Sequence, residues 1–82
     1  MKQEQVAALR IANIVIEKAK ENSIQKIGKI VINIPPNNTL NMSELEKEYN
    51  DLKINFSILD ESSLIFKSIK VKGIKIDTIE SL

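Results

Sequence analysis

The 82-residue sequence contains no cysteine, no histidine and no tryptophan. Without cysteine there is no thiolate nucleophile and no disulfide. Without histidine there is no imidazole to move protons near neutral pH, and the usual nitrogen and sulfur metal donors are both missing. The lack of disulfides removes the cross-links that stabilise many small secreted domains, which fits a cytoplasmic protein. Glycine and proline occur only twice each, so the chain is neither loop-rich nor fibrous, and the isolated Gly28 and Gly73 cannot assemble a phosphate-cradling loop. Aromatic side chains are limited to one tyrosine and two phenylalanines, too few for a base-stacking platform. Charge of one sign is missing as well. Twelve basic and eleven acidic residues leave a net charge of +1, which gives no field to gather nucleic acid or an anionic membrane surface. No apolar run approaches the roughly 20 residues of a membrane span, and no secretory signal pattern precedes the first helical segment.

What is present fits one domain over residues 1–82. A length of 82 residues with 43% hydrophobic and 28% charged side chains can enclose a single core and is too short to divide into two. From Gln3 to Asn22, Ala8, Leu9, Ile11, Ala12, Val15, Ile16 and Ala19 recur at the 3.6-residue period of an amphipathic helix. Val6 and Ile14 stray from that stripe; they read either as the margin of a wide core contact or as an apolar contact with a partner chain. Ile27 to Ile34 is short and β-branched, the pattern of a strand with Ile30, Ile32 and Ile34 on one face and Lys29, Val31 and Asn33 on the other. Pro35 and Pro36 end its pairing because neither can donate a backbone hydrogen bond.

Leu45, Tyr49, Leu52, Phe56 and Leu59 follow at spacings of four, three, four and three, which predicts a helix over Ser43 to Leu59 opened by a Ser43–Glu46 capping box. Tyr49 reads as a core residue whose hydroxyl reaches the surface. Glu44, Glu46 and Glu48 favour the positive end of the helix dipole. Ser62 and Ser63 have no histidine to activate them. The chain then becomes β-like. Ile65, Ile69 and Val71 alternate with Lys67, Lys70 and Lys72, and Gly73 shifts the phase to Ile74 and Ile76, as a turn or bulge would. The order helix, strand, helix, strand, strand predicts an α+β fold: two helices packed on one face of a small three-stranded, mostly antiparallel sheet.

This arrangement resembles the nickel-binding domain of the HypA hydrogenase-maturation family over most of the chain. The resemblance lies in Gln3-Glu4 ahead of an alanine-rich helix, the helix end Ala19-Lys20-Glu21-Asn22 and the strand Lys26 to Ile34. It continues through the helix start Ser43-Glu44-Leu45, the exit Asp60-Glu61-Ser62-Ser63 and the stretch Val71 to Ile76. It implies a metallochaperone-like scaffold that docks onto partner proteins. It also implies a lost metal site: the family's N-terminal histidine corresponds to Gln3, and its zinc domain depends on Cys-x-x-Cys pairs that these residues lack.

The function expected is therefore a noncatalytic protein-interaction module without a cofactor, acting on a protein partner or by self-association through an exposed strand edge. Val6, Ile14, Ile79 and Leu82 are its candidate interaction surface. The alternative is a small nucleic-acid or anion-binding domain using Lys67, Lys70, Lys72 and Lys75, although without interleaved aromatic residues the simpler reading of this basic run is the solvent-exposed face of a strand.

Overall fold

The computed structural model of the protein describes residues 2–82; Met1, and with it the N-terminal amine, lies outside the described residues. Five elements follow in the order read from the sequence: α1 (Gln3–Glu21), β1 (Ile27–Ile34), α2 (Met42–Lys53), β2 (Ser63–Ser68) and β3 (Lys75–Ser81). β1 is central, parallel to β2 on one side and antiparallel to β3 on the other.

The α+β class is as expected, but the sheet is mixed. The return through α2 carries the chain back to the start of β1, so β2 must run the same way as β1. The turn expected near Gly73 is present, with Gly73 at φ +76°. It does not close a hairpin, because the chain crosses from one edge of the sheet to the other before β3 begins.

Along α1, Ala8, Ile11, Ala12, Val15 and Ala19 are buried. The small alanines let the helix lie close to its neighbours. Leu9, read as part of that stripe, is instead exposed. α1 ends in a Schellman turn: Ile24 N–H donates to the Ala19 carbonyl (2.8 Å) and Ser23 N–H to that of Lys20 (3.3 Å). Ser23 occupies the left-handed position at φ 56°, where glycine is at no steric disadvantage. Ser23→Gly is expected to stabilise the fold by about 0.5–1 kcal/mol, measured as a raised urea midpoint at unchanged slope.

The second helix is shorter than its periodicity suggests. Asn41, not Ser43, caps it, with the side-chain oxygen accepting from Glu44 N–H at 3.0 Å. Past Lys53 the chain continues in tight turns, with Phe56 N–H bonded to the Lys53 carbonyl and Leu59 N–H to that of Phe56. These turns still deliver Leu59 to the core, and the Ile58 carbonyl accepts from Ile27 N–H at 3.0 Å. The apolar spacing therefore persists beyond the end of the helix.

Both helices pack on one face of the sheet, where Leu45 and Tyr49 of α2 and the buried side chains of α1 join Ile30, Ile32 and Ile34 of β1 in one core. In β2 the inward residues are Leu64 and Phe66, paired with Ile30 and Ile32. Ile65 is exposed with Lys67 on the other face, opposite to the phase read from the sequence. β2 also stops at Ser68, so Ile69, Lys70, Val71 and Lys72 belong to the connection to β3.

Candidate interaction groove

β3 lies at the edge of the sheet, and its pairing with β1 carries a register shift: Thr78 faces Val31, whereas Ile76 faces Ile32, leaving Asp77 as an extra residue. The bulge puts Ile76 and Ile79, three apart, on the same side of the sheet, and both pack against the core without being fully covered by it.

α1 runs alongside in the same direction. Its first turn is held near the start of α2, where the Glu4 carboxylate accepts from Asn41 N–H at 3.1 Å. Its last turn leads into β1, whose first residue Ile27 pairs with Ser81 at the end of β3. Between the two elements is an open groove of about 1330 Å³. One wall is the helical ladder Gln3, Val6, Arg10, Ile14 and Lys18, whose four-residue steps from Val6 onward keep it on one side of α1. The other wall is the unbroken run from Gly73 to Ile79. Within that run Ile76 and Ile79 turn to the side of the sheet that carries the helices, and β3 is an edge strand paired with β1 alone.

Three of the four candidate interaction residues lie together here. Val6 (37% exposed) and Ile14 (48%) stand on the helical wall, and Ile79 on the strand wall. Leu82 does not join them. Its N–H donates to the Lys26 carbonyl at 3.0 Å, its side chain lies over Gly28, and it is 68% exposed beyond the end of β3. Sequence reasoning missed Ile74, Ile76 and Arg10 as groove residues. The three-residue step from Ile76 to Ile79, which a regular strand cannot place on one face, was the available signal for the bulge.

The four lysines are dispersed. Lys67 is on the open face of β2, 3.7 Å from the Asp77 carboxylate. Lys70 and Lys72 lie in the connection, and Lys75 opens β3 on the opposite edge and lines the groove. They do not form one strand face.

Around Gln3, where the resemblance puts a metal ligand, the neighbouring charges are already engaged. The Lys2 ammonium is 3.1 Å from Glu44 Oε1. Their hydrogen bond, followed by the attraction of the charges, raises the Lys2 pKa and lowers that of Glu44. Lys2 therefore stays a cation and offers no lone pair, and the Glu4 carboxylate is taken up by Asn41. The donors left are the Gln3 amide and carboxylate oxygens, whereas nickel favours imidazole and other nitrogen ligands, so these side chains do not fit the ion. No cluster of three or more acidic, histidine or cysteine side chains able to hold a metal occurs among the described residues. No helix among them is long and apolar enough to cross a membrane.

An α+β domain with this mixed sheet and two helices on one face has counterparts among solved structures. The solution structure of the nickel metallochaperone HypA from Helicobacter pylori is similar with a TM-score of 0.81 at 12% sequence identity, over 96% of this chain and 97% of that one. A second solution structure of HypA protein gives 0.79 at 12% identity, over 98% and 96% of the two chains. The fold is thus that of HypA, as the resemblance in sequence implied. No protein-family model and no curated protein matches the sequence.

Proposed function

We propose that this chain is a noncatalytic protein-interaction module of the cytoplasm, one domain over residues 1–82, that keeps the HypA scaffold and holds a protein in the groove between α1 and β3. The observation that carries this reading is the apolar lining of that groove: Val6 and Ile14 on an otherwise polar side of α1 face the partly covered Ile74, Ile76 and Ile79. Apolar side chains left open on two facing elements are what a docking partner would cover. The likeness to a nickel metallochaperone supplies the scaffold. The Gln3 neighbourhood supports separating that scaffold from its metal, since its side chains offer no nitrogen donor set for nickel.

The test uses Ile14→Asp, which places a carboxylate in the groove, beside Ile54→Asp as control. Ile54 is 72% exposed and outside the groove, so both variants should fold. Each is compared with the unaltered chain for the proteins that co-purify from its native cells and for solution mass by light scattering. Ile14→Asp is expected to weaken the association at least tenfold, whether with another protein or with a second copy, and Ile54→Asp to leave it unchanged. Equal retention by both variants overturns the reading. So does tight nickel binding by the purified chain in a calorimetric titration.

A further inference from the structure

We infer that two copies of this chain join along the outer edge of β2, antiparallel about a twofold axis at Ile65, so that two three-stranded sheets become one sheet of six strands. The contact lies on the opposite edge of the sheet from the groove and leaves the groove open.

The main chain decides which residues can bond. β2 pairs with β1 alone, so its outer amides and carbonyls have no strand partner among the described residues. Just past β2, Ile69 N–H donates to the Ile34 carbonyl of β1 at 3.1 Å. Successive residues of a strand turn their main-chain groups to opposite edges. Ile65 and Lys67 therefore also bond toward β1, and Leu64 and Phe66 bond outward. This edge is unguarded. β2 keeps an unbroken register with β1, has Leu64, Ile65 and Phe66 at its centre and contains no proline. β3, at the other edge, carries a bulge together with Lys75, Asp77 and Glu80, the usual devices against edge pairing.

The strand matches itself in one antiparallel register. With Ile65 opposite Ile65, Leu64 of each copy lies opposite Phe66 of the other, and these outward-bonding residues exchange N–H and C=O. The two Ile65 then form a non-hydrogen-bonded pair, the kind whose side chains approach most closely, on the open face where Ile65 is 39% exposed. Lys67 meets Ser63 and not a second lysine. Sliding the partner by two residues one way sets Ile65 against Lys67. Sliding it the other way sets Ile65 against Ser63 and calls on the Ser62 carbonyl, which already accepts from Lys53 Nζ at 2.7 Å. A slide of one residue opposes outward-bonding residues to inward-bonding ones and loses the bonds.

Charge favours a second copy as the occupant. The chain enters β2 past Asp60 and Glu61 and leaves it past Lys67 and Lys70. Lys26 serves both acids, at 2.7 and 3.7 Å, so two carboxylates share one cation, and Lys70 forms no ion pair among the described residues. Antiparallel pairing sets the acidic end of each copy beside the basic end of the other, at both ends of the contact, whereas a parallel partner would set like beside like. A net charge of +1 adds little repulsion between copies. An edge of six residues covers less than the about 1,200 Å² of a stable interface, so the dimer is concentration-dependent and the dilute chain unfolds as a monomer.

Sedimentation equilibrium over protein concentration and salt tests this with the full chain and four variants: Ile65→Lys, Ile65→Glu, Lys70→Glu and Ile14→Asp. All three positions are exposed, and far-ultraviolet circular dichroism checks that each variant folds. The unaltered chain is expected to dimerise, less tightly as salt is raised. Ile65→Lys and Ile65→Glu should each dimerise at least tenfold more weakly, because like charges meet on the axis, and an equimolar mixture of the two should regain the dimer as a mixed species. Lys70→Glu should weaken it at least threefold, and Ile14→Asp should leave it unchanged. A chain that stays monomeric up to about 1 mM overturns the inference, as does a dimer that both Ile65 variants leave intact. A mixture no tighter than either variant alone overturns the twofold pairing at Ile65. A dimer lost with Ile14→Asp but kept by the Ile65 variants belongs to the groove, which overturns this inference and leaves the groove reading standing.

Discussion

Replacing Tyr49 with alanine is expected to cost about 3–5 kcal/mol, a large share of the protein's stability. A chain of this size has a total stability of only about 4–12 kcal/mol. Tyr49 is the largest of the fully buried side chains, set in the core between α2 and the sheet. Its hydroxyl, read from the sequence as reaching the surface, is instead bonded to the buried Ser62 Oγ. The direction of that bond follows from counting protons. Ser62 Oγ donates its single hydrogen to the Leu59 carbonyl at 2.6 Å, so Tyr49 must be the donor. Lys53 Nζ donates to the Ser62 carbonyl at 2.7 Å, and together these bonds fasten the turns after α2 onto the helix. Truncation at position 49 removes the ring and unties that segment as well. Urea unfolding followed by far-ultraviolet circular dichroism measures the loss.

Tyr49→Phe separates the two contributions, keeping the ring and removing only the donor, for about 1 kcal/mol. The same pair of proteins has a defined pH dependence. Burial raises the Tyr49 pKa, so the folded value lies above the unfolded value near 10. As pH rises past 10 the unfolded chain gives up the proton first, and stability fully present below that pH is lost as pH rises through the folded pKa. The phenylalanine variant has no such proton, so the stability gap between the two narrows above about pH 10. Tyr49 is the only tyrosine in the chain, and its ionisation can be followed directly by absorbance.

Element existence and order were legible because α1 and β1 each carry one dominant pattern: alanine and isoleucine at 3.6 residues, then a β-branched run closed by two prolines. The errors fall where a period survives a change of structure. Phe56 and Leu59 keep helical spacing, yet the backbone there turns at every third residue, and the spacing alone cannot tell turns from helix. Strand direction was illegible for a different reason. The phase break at Gly73 fits a hairpin as well as a crossover, and only the pairing of both β2 and β3 with β1 decides between them. In the groove, Val6, Ile14 and Ile79 were visible as apolar residues out of phase with their elements. Arg10 was not, because an arginine on the polar side of a helix carries no signal until a strand edge is found beside it. Leu82 has the same composition signal as Ile79 but lies past the last pairing.

Ile32→Ala is expected to cost about 2–5 kcal/mol, whereas Ile65→Ala, one strand away, should cost under about 1 kcal/mol. The chemistry of the two changes is the same, so the difference comes from the faces. Ile32 is fully buried in the central strand, between Phe66 on one side and Ile76 on the other, and it faces both helices. Its removal leaves a cavity that the strand cannot collapse to fill, because pairing on both edges holds its backbone in place. Ile65 stands on the uncovered face beside Val31, exposed to water, so truncation there loses little buried area. The sequence alone suggests the opposite ranking for β2, with Ile65 inward and Phe66 out of phase. Urea midpoints of the two variants therefore test the register of β2 on β1. Equal losses would require Ile65 to face the core, which a one-residue slip in pairing would produce, and such a slip would also turn Leu64 and Phe66 outward.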